Sequence, residues 1–202
     1  MMIRLLLIVG IILSVVDGSL SAQAPAEHEQ VGRTEHVYDG RWWTEADLAE
    51  QSGFLNGAAD CLTWVAHAKW LTATVEALEK KITQYYQMHP AERAEPIAEV
   101  WKKLVSTSRA TPSPAGGEVW KNPHGYYNGL WWRQGSDNER LGFLEGYLWC
   151  LHTCVERPAE AYSKPAGYYV DKIDSYIQRF PRGNDEPIAT ILSRFRDKSS
   201  RK

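Results

Sequence analysis

The sequence lacks most of the features by which a function announces itself. It has no basic stripe: 23 Lys and Arg stand against 25 Asp and Glu, a formal net charge of −2, so nucleic acid is not an expected partner. It has only three cysteines, Cys61, Cys150 and Cys154, and His67, His89, His124 and His152 are scattered. His152-x-Cys154 has no further ligands at finger-like spacing, so no metal site is expected. There is no Gly-x-Ser-x-Gly, no phosphate loop and no Cys-His protease signature, which speaks against an enzyme and against a cofactor. No period-two alternation of useful length occurs, which argues against a sheet. No apolar run reaches the roughly 18 residues of a membrane-spanning helix.

The longest apolar run, Leu5 to Val16 behind Arg4, has the shape of an export signal. Ala22-x-Ala24 meets the small-residue cleavage rule, and cleavage after Ala22 fits equally; 1–22 is taken as the signal peptide. An uncleaved anchor is the competing reading. No cysteine lies near the site, so no lipid anchor is expected, and no stable membrane attachment after cleavage. Arg4 and Asp17 leave together, so the charge is unchanged. The expected location is periplasmic or secreted, where disulfides are permissible. Cys150 and Cys154 share a helix face and are poorly placed for each other. Cys61 is expected to bond to Cys150 or to Cys154, with one thiol spare or paired between chains.

What the chain has in abundance is itself. Residues 38–62 and 127–151 align without a gap, and 11 of the 25 paired positions are identical. Tyr38-Asp39-Gly40-Arg41-Trp42-Trp43 answers Tyr127-Asn128-Gly129-Leu130-Trp131-Trp132, and Gly53-Phe54-Leu55-Asn56-Gly57 with Cys61 answers Gly142-Phe143-Leu144-Glu145-Gly146 with Cys150. Downstream, Ile82, Tyr85, Gln87, Pro90, Glu95, Pro96, Ile97 and Ala98 pair with Ile173, Tyr176, Gln178, Pro181, Glu186, Pro187, Ile188 and Ala189, after an insertion of two residues. Such a repeat has to be explained before anything else. A unit of about seventy residues is marginal alone, so two copies are expected to share one core.

The expected fold is all-α: two pseudo-symmetric three-helix repeats packed as one domain. Helices are expected from near Thr44, over 74–88 and from 95–96 to about 106, then over about 137–156, 167–180 and 186–197. The expected organisation is a flexible segment at 23–35, repeat 1 at 36–106, a Pro-, Gly- and Ser-rich linker at 107–123 and repeat 2 at 124–200. Thr44-Glu45-Ala46-Asp47 and Ser136-Asp137-Asn138-Glu139 are read as paired capping boxes.

On a helical wheel, Glu50, Gly53, Phe54, Gly57 and Cys61 form one face, and Glu139, Gly142, Phe143, Gly146 and Cys150 form its copy. Glycines four apart let another backbone approach closely. The favoured reading is a packed helix seam, since helix glycine otherwise costs about 1 kcal/mol against alanine. Glu50 and Glu139 sit on this face and are buried-acid candidates. As an acid pair they would suit hydrolysis; the plainer reading places them in first turns, where they favour the helix dipole. Trp42, Trp43, Trp131 and Trp132 are either core plugs or a stacking platform for a sugar or peptide. Trp120, Tyr126 and Tyr127, in Pro- and Gly-rich chain, are candidates for a binding surface.

The stretch Ile82 to Arg93, with Tyr85-Tyr86 and His89-Pro90, followed by Pro96-Ile97-Ala98 and Val100-Trp101-Lys102-Lys103-Leu104, resembles the second half of the Tai-type amidase immunity proteins of type VI secretion. Gly53 to Cys61 fits the family's glycine-spaced first helix loosely. The resemblance covers most of 50–106 and the second copy more weakly, where Phe180-Pro181 replaces His-Pro. It implies a small helical periplasmic protein that binds and blocks a peptidoglycan amidase. The chain departs from the family in being a tandem duplicate, in its Tyr-x-Gly-x-Trp-Trp lead-in and in having only Cys61 in the first copy, so no functional residues are carried over. The leading expectation is an exported, non-enzymatic binding protein, immunity-like and directed at another exported protein. The alternatives are a secreted small-ligand or glycan binder using the Trp pairs, and a carboxylate-based hydrolase.

Overall fold

Two helices rich in glycine cross at the centre of the molecule, and everything else is arranged around that crossing. In the computed structural model the described residues are 37–64, 74–107, 127–153, 161–181 and 185–197, with the side chains of 64 and 105–107 excepted. These residues are all-α in one domain: α1 (Gly40–Glu45), α2 (Leu48–Trp64), α3 (Val75–Met88), α4 (Ile97–Thr107), α5 (Gly129–Gln134), α6 (Asp137–Thr153), α7 (Ala166–Arg179) and α8 (Ile188–Ser193), with a 3-10 turn at Pro90–Glu92. The signal peptide, the segment 23–35, most of the linker, Cys154, Trp120 and Tyr126 lie outside the described residues.

The most extensive helix pair is α2 with α6; the other substantial pairs, α2 with α3, α3 with α4, α6 with α7 and α7 with α8, each lie within one half. The reason α2 and α6 approach so closely is steric. A Cβ on Gly57 would stand 1.8 Å from the Phe143 carbonyl oxygen, and one on Gly146 would stand 1.9 Å from that of Phe54. One turn earlier, a Cβ on Gly53 would meet the Glu139 carbonyl at 2.3 Å and one on Gly142 the Glu50 carbonyl at 2.1 Å. Each contact has its reciprocal at the repeat-equivalent position. Cys61 and Cys150 close the crossing with a disulfide, Cα to Cα 6.1 Å, between residues 89 apart in sequence.

Two short helices join the six expected. The Trp-Trp segments, read from sequence as turns leading into a helix, are themselves six-residue helices. Asp39 caps α1 by accepting from the backbone N–H of Arg41 and Trp42, and Asn128 caps α5 by accepting from Leu130 and Trp131. This also moves the next helix start. Thr44 is not a cap: its hydroxyl donates back to the Gly40 and Arg41 carbonyls inside α1. The cap of α2 is Asp47, whose Oδ1 accepts from Glu50 N at 2.9 Å. It matches Ser136, whose Oγ accepts from Glu139 N at 3.2 Å.

The outer helices close over the crossing in the same way in both halves. The α3 face Val75, Leu78, Ile82 and Tyr86 and the α7 face Tyr169, Ile173 and Ile177 are buried, the spacing of a one-sided helix. Both helices stop one residue before a proline, at His89-Pro90 and Phe180-Pro181, where the residue before proline is pushed out of helical conformation. The last helix of each half is then tied to the first turn of the same half. Ile97 N donates to the Tyr38 carbonyl and Ile188 N to the Tyr127 carbonyl, both at 2.8 Å, within the bridges Asp39–Pro96 and Asn128–Pro187.

Candidate functional site

The repeated tryptophans point inward. Trp42, Trp43 and Trp132 are buried and Trp131 is half-buried. Within each pair the rings are tilted, by 60° for Trp42–Trp43 and 63° for Trp131–Trp132, so neither pair is an exposed coplanar platform. The first ring of each pair packs on the seam phenylalanine: Trp42 on Phe54 at 4.9 Å and Trp131 on Phe143 at 5.1 Å between centroids. The second ring anchors the third helix of its half. Trp43 Nε1 donates to Thr83 Oγ1 at 3.0 Å, and Trp132 Nε1 donates to Asp174 Oδ1 at 2.6 Å. Gln51 and Arg140, at equivalent positions on α2 and α6, donate to the Trp43 and Trp132 carbonyls. Trp42 Nε1 is buried and has no acceptor, which leaves one indole N–H unsatisfied in the first half.

Tyr127, expected at a binding surface, belongs to the seam. Its ring is half-buried, packs edge-on to Trp131 at 5.0 Å and lies 5.1 Å from Phe143. Its hydroxyl donates across the crossing to Asn56 Oδ1 at 2.8 Å.

The acids expected to be buried, Glu50 and Glu139, are only half-buried. They lie in the first turns of α2 and α6, and it is their backbone carbonyls that face the opposing glycines. The crossing buries main chain at this level and leaves the side chains at its rim. The buried carboxylates are Asp39, Asp60 and Glu145. Asp39 is a helix cap. Asp60 and Glu145 are interior to α2 and α6, and the sequence reading gave them no role. The available signal was position: Glu145 sits between Leu144 and Gly146 of the seam motif, and Asp60 stands directly before Cys61.

A second repeated constellation lies where the third helix of each half ends. Tyr85 donates to Glu95 Oε2 at 2.9 Å and also to Glu92, while Lys103 Nζ reaches the same Glu95 oxygen at 2.7 Å and the Tyr85 hydroxyl at 3.0 Å. In the second half Tyr176 donates to Glu186 Oε2 at 2.9 Å and Arg194 pairs with Glu186 Oε1. The cation lies over the tyrosine ring in both, at 5.5 Å for Lys103 and 5.3 Å for Arg194. The bond to Glu92 raises the Tyr85 hydroxyl above its ordinary pKa and lowers that of Glu92; the bond to Glu186 raises Tyr176 and Arg194. Both tyrosines are therefore held as neutral donors. The arrangement binds the chain after each proline stop to the helix before it. An aromatic ring covers each cluster: His89 lies 4.7 Å from Tyr85 and Phe180 lies 5.0 Å from Tyr176. Met88 and Phe180 are exposed beside them.

Among the described residues no group of three His, Cys, Asp or Glu is placed to hold a metal ion, and no helix is long and apolar enough to cross a membrane. Of the cysteines, Cys61 and Cys150 are joined. Set against protein-family models, curated proteins and solved structures, the chain finds no match in any of the three.

Proposed function

We propose that the protein is an exported helical binding protein without catalytic activity, immunity-like and directed at another exported protein. One observation carries this reading: the residues that the two copies share are occupied in holding the fold. The glycines make the crossing, the phenylalanines and tryptophans fill it, the cysteines bridge it, and the Tyr–Glu–cation clusters fasten its outer loops. What duplication preserved is a scaffold, and function then rests on the surface the scaffold presents. The apolar N-terminal run with its small-residue cleavage site supports export. The resemblance of 50–106 to amidase immunity proteins supports a peptidoglycan amidase as the kind of partner.

The test is recovery from periplasmic extract with the tagged mature chain as bait, followed by assay of whatever is recovered. The expected result is one exported protein held in stoichiometric complex, with its peptidoglycan amidase activity suppressed while bound. The aromatic segment ahead of the second repeat is the expected contact, so Trp120→Ala with Tyr126→Ala should weaken the complex. Peptidoglycan or glycan turnover by the chain alone, lost in Glu50→Gln with helicity intact by circular dichroism, would replace this reading with a hydrolase. A small molecule co-purifying in stoichiometric amount would replace it with a ligand binder.

A further inference from the structure

The α2–α6 crossing is symmetric at its centre and polar at one end. At the centre every contact has its reciprocal: Gly53 against Glu139 and Gly142 against Glu50, Gly57 against Phe143 and Gly146 against Phe54. The disulfide joins two equivalent residues, Cys61 and Cys150. Just before the cysteines the two helices differ in bulk. The α2 helix carries Ala58, Ala59 and Asp60 where α6 carries Tyr147, Leu148 and Trp149, and all of these but Trp149 are buried. Pairing α2 with another α2 would leave space unfilled and bring two copies of Asp60 together; pairing α6 with another α6 would crowd three large side chains against three more. Large-to-small and small-to-large changes both cost stability in a packed core. The seam therefore selects the opposite half. Nothing in it selects the opposite half of the same molecule. The halves meet chiefly through this one helix pair, and the connecting residues 108–126 reach roughly 60 Å when extended.

We propose that the seam is exchangeable between molecules. A second copy of the chain supplies the opposite half, giving a reciprocal dimer in which α2 of each protomer packs on α6 of its partner and Cys61 is bonded to Cys150 across chains. The seam contacts are those of the monomer, so the balance between the two forms is set by concentration against the effective concentration of a flexible linker, on the order of millimolar. Monomer is the form in dilute solution. Dimer forms when the chain folds at high concentration, and its two disulfides then hold it. Each bridge forms by oxidation of two thiols, with oxidised glutathione accepting the two electrons and leaving as two glutathione thiols. This inference does not depend on the identity of any other partner.

The experiment uses two full-length mature variants, Cys61→Ser and Cys150→Ser, each also carrying Cys154→Ser. Neither can form the bridge within one chain. They are refolded in a glutathione redox buffer, separately and as an equal mixture, and resolved without reductant. The expected result is a covalent dimer at least ten-fold more abundant in the mixture than in either variant alone, with Cys61 linked to Cys150 by peptide mapping. A mixture no richer in dimer than the separate variants overturns the proposal. Equal dimer in the separate variants overturns it too, since like helices would then be pairing. A second measurement needs no seam cysteine changed: the Cys154→Ser chain is refolded over a concentration series to the millimolar range. A Cys61–Cys150-linked dimer rising with concentration supports exchange, and monomer at every concentration refutes it.

Discussion

The two halves of the molecule solve one packing problem with different side chains. Where backbone meets backbone they are identical: both place glycines at the crossing, phenylalanine beside them and cysteine beyond. Where a side chain supports a side chain they differ in chemistry and agree in geometry. The tryptophan of α1 is held by a neutral hydroxyl, Thr83, and that of α5 by a carboxylate, Asp174. The second of these is embedded in a charged network, with Arg140 Nη1 3.4 Å from the same oxygen and the guanidinium 5.9 Å over the Trp132 ring. The first has Gln51 instead, donating to main-chain carbonyls of Trp43 and Ala46. The difference teaches which part of the motif is constrained. A glycine facing a carbonyl oxygen has no substitute, because any Cβ collides. An acceptor for an indole N–H can be a hydroxyl or a carboxylate.

The largest expected effect comes from the bond that both halves share. Removing it in Cys61→Ser or Cys150→Ser should cost about 4 kcal/mol, the loop-entropy value for a closure of this length, and the two variants should melt alike. A difference between them would mean that the unmatched thiol finds Cys154. Next come the seam glycines. Gly57→Leu and Gly146→Leu should each cost about 3 kcal/mol or more by overpacking, and equally. Gly167, near the start of α7 with nothing within 4 Å of a Cβ, is the control: Gly167→Ala should be neutral or slightly stabilising. Unequal losses at 57 and 146 would break the reciprocity of the crossing.

The third comparison is where the halves should part. Thr83→Val removes a neutral acceptor and should cost about 1 kcal/mol; Asp174→Ala removes a charged one and should cost about 2 kcal/mol. Asp174 is 30% exposed, so raising salt should narrow that gap by screening its pairing with Arg140. Thermal melts at low and high salt check both statements. The smallest effects are expected at the helix caps. Asp39→Ala and Asn128→Ala should each cost about 1 kcal/mol, whereas Asp39→Asn should change little, since Asn128 already holds the same two backbone donors in the other half.

Much of this architecture was legible because duplication acts as an alignment within one chain. The glycine faces, the pairing of Cys61 with either Cys150 or Cys154, and the proline stops at His89-Pro90 and Phe180-Pro181 all follow from residues that recur at fixed spacing. The short helices α1 and α5 were not legible. Six residues give less than two turns, too few for a helical period to show, and Asp39-Gly40 and Asn128-Gly129 read equally well as turns. Missing these helices placed the cap at Thr44, three residues ahead of Asp47. The depth of the acids was also hidden. A helical wheel puts Glu50 and Glu139 on the seam face but does not say where along the helix the seam ends, and both lie at its rim. Asp60 and Glu145 went unassigned because a carboxylate inside an apolar helix gives no periodic signal of its own. Trp120 and Tyr126 lie outside the described residues, and Tyr127 proved to be part of the crossing.

The central claim is that one helical unit is written twice and packed on itself through a glycine seam. The most direct measurement is an experimental structure of the mature chain in which 38–106 is superposed on 127–197. The account predicts that the helices overlay in order, that Gly53, Gly57, Gly142 and Gly146 each face a carbonyl of the opposing helix, and that Cys61 is bonded to Cys150 at the crossing. A different helix order in the two segments, or a crossing held apart by side chains at those glycines, would contradict it.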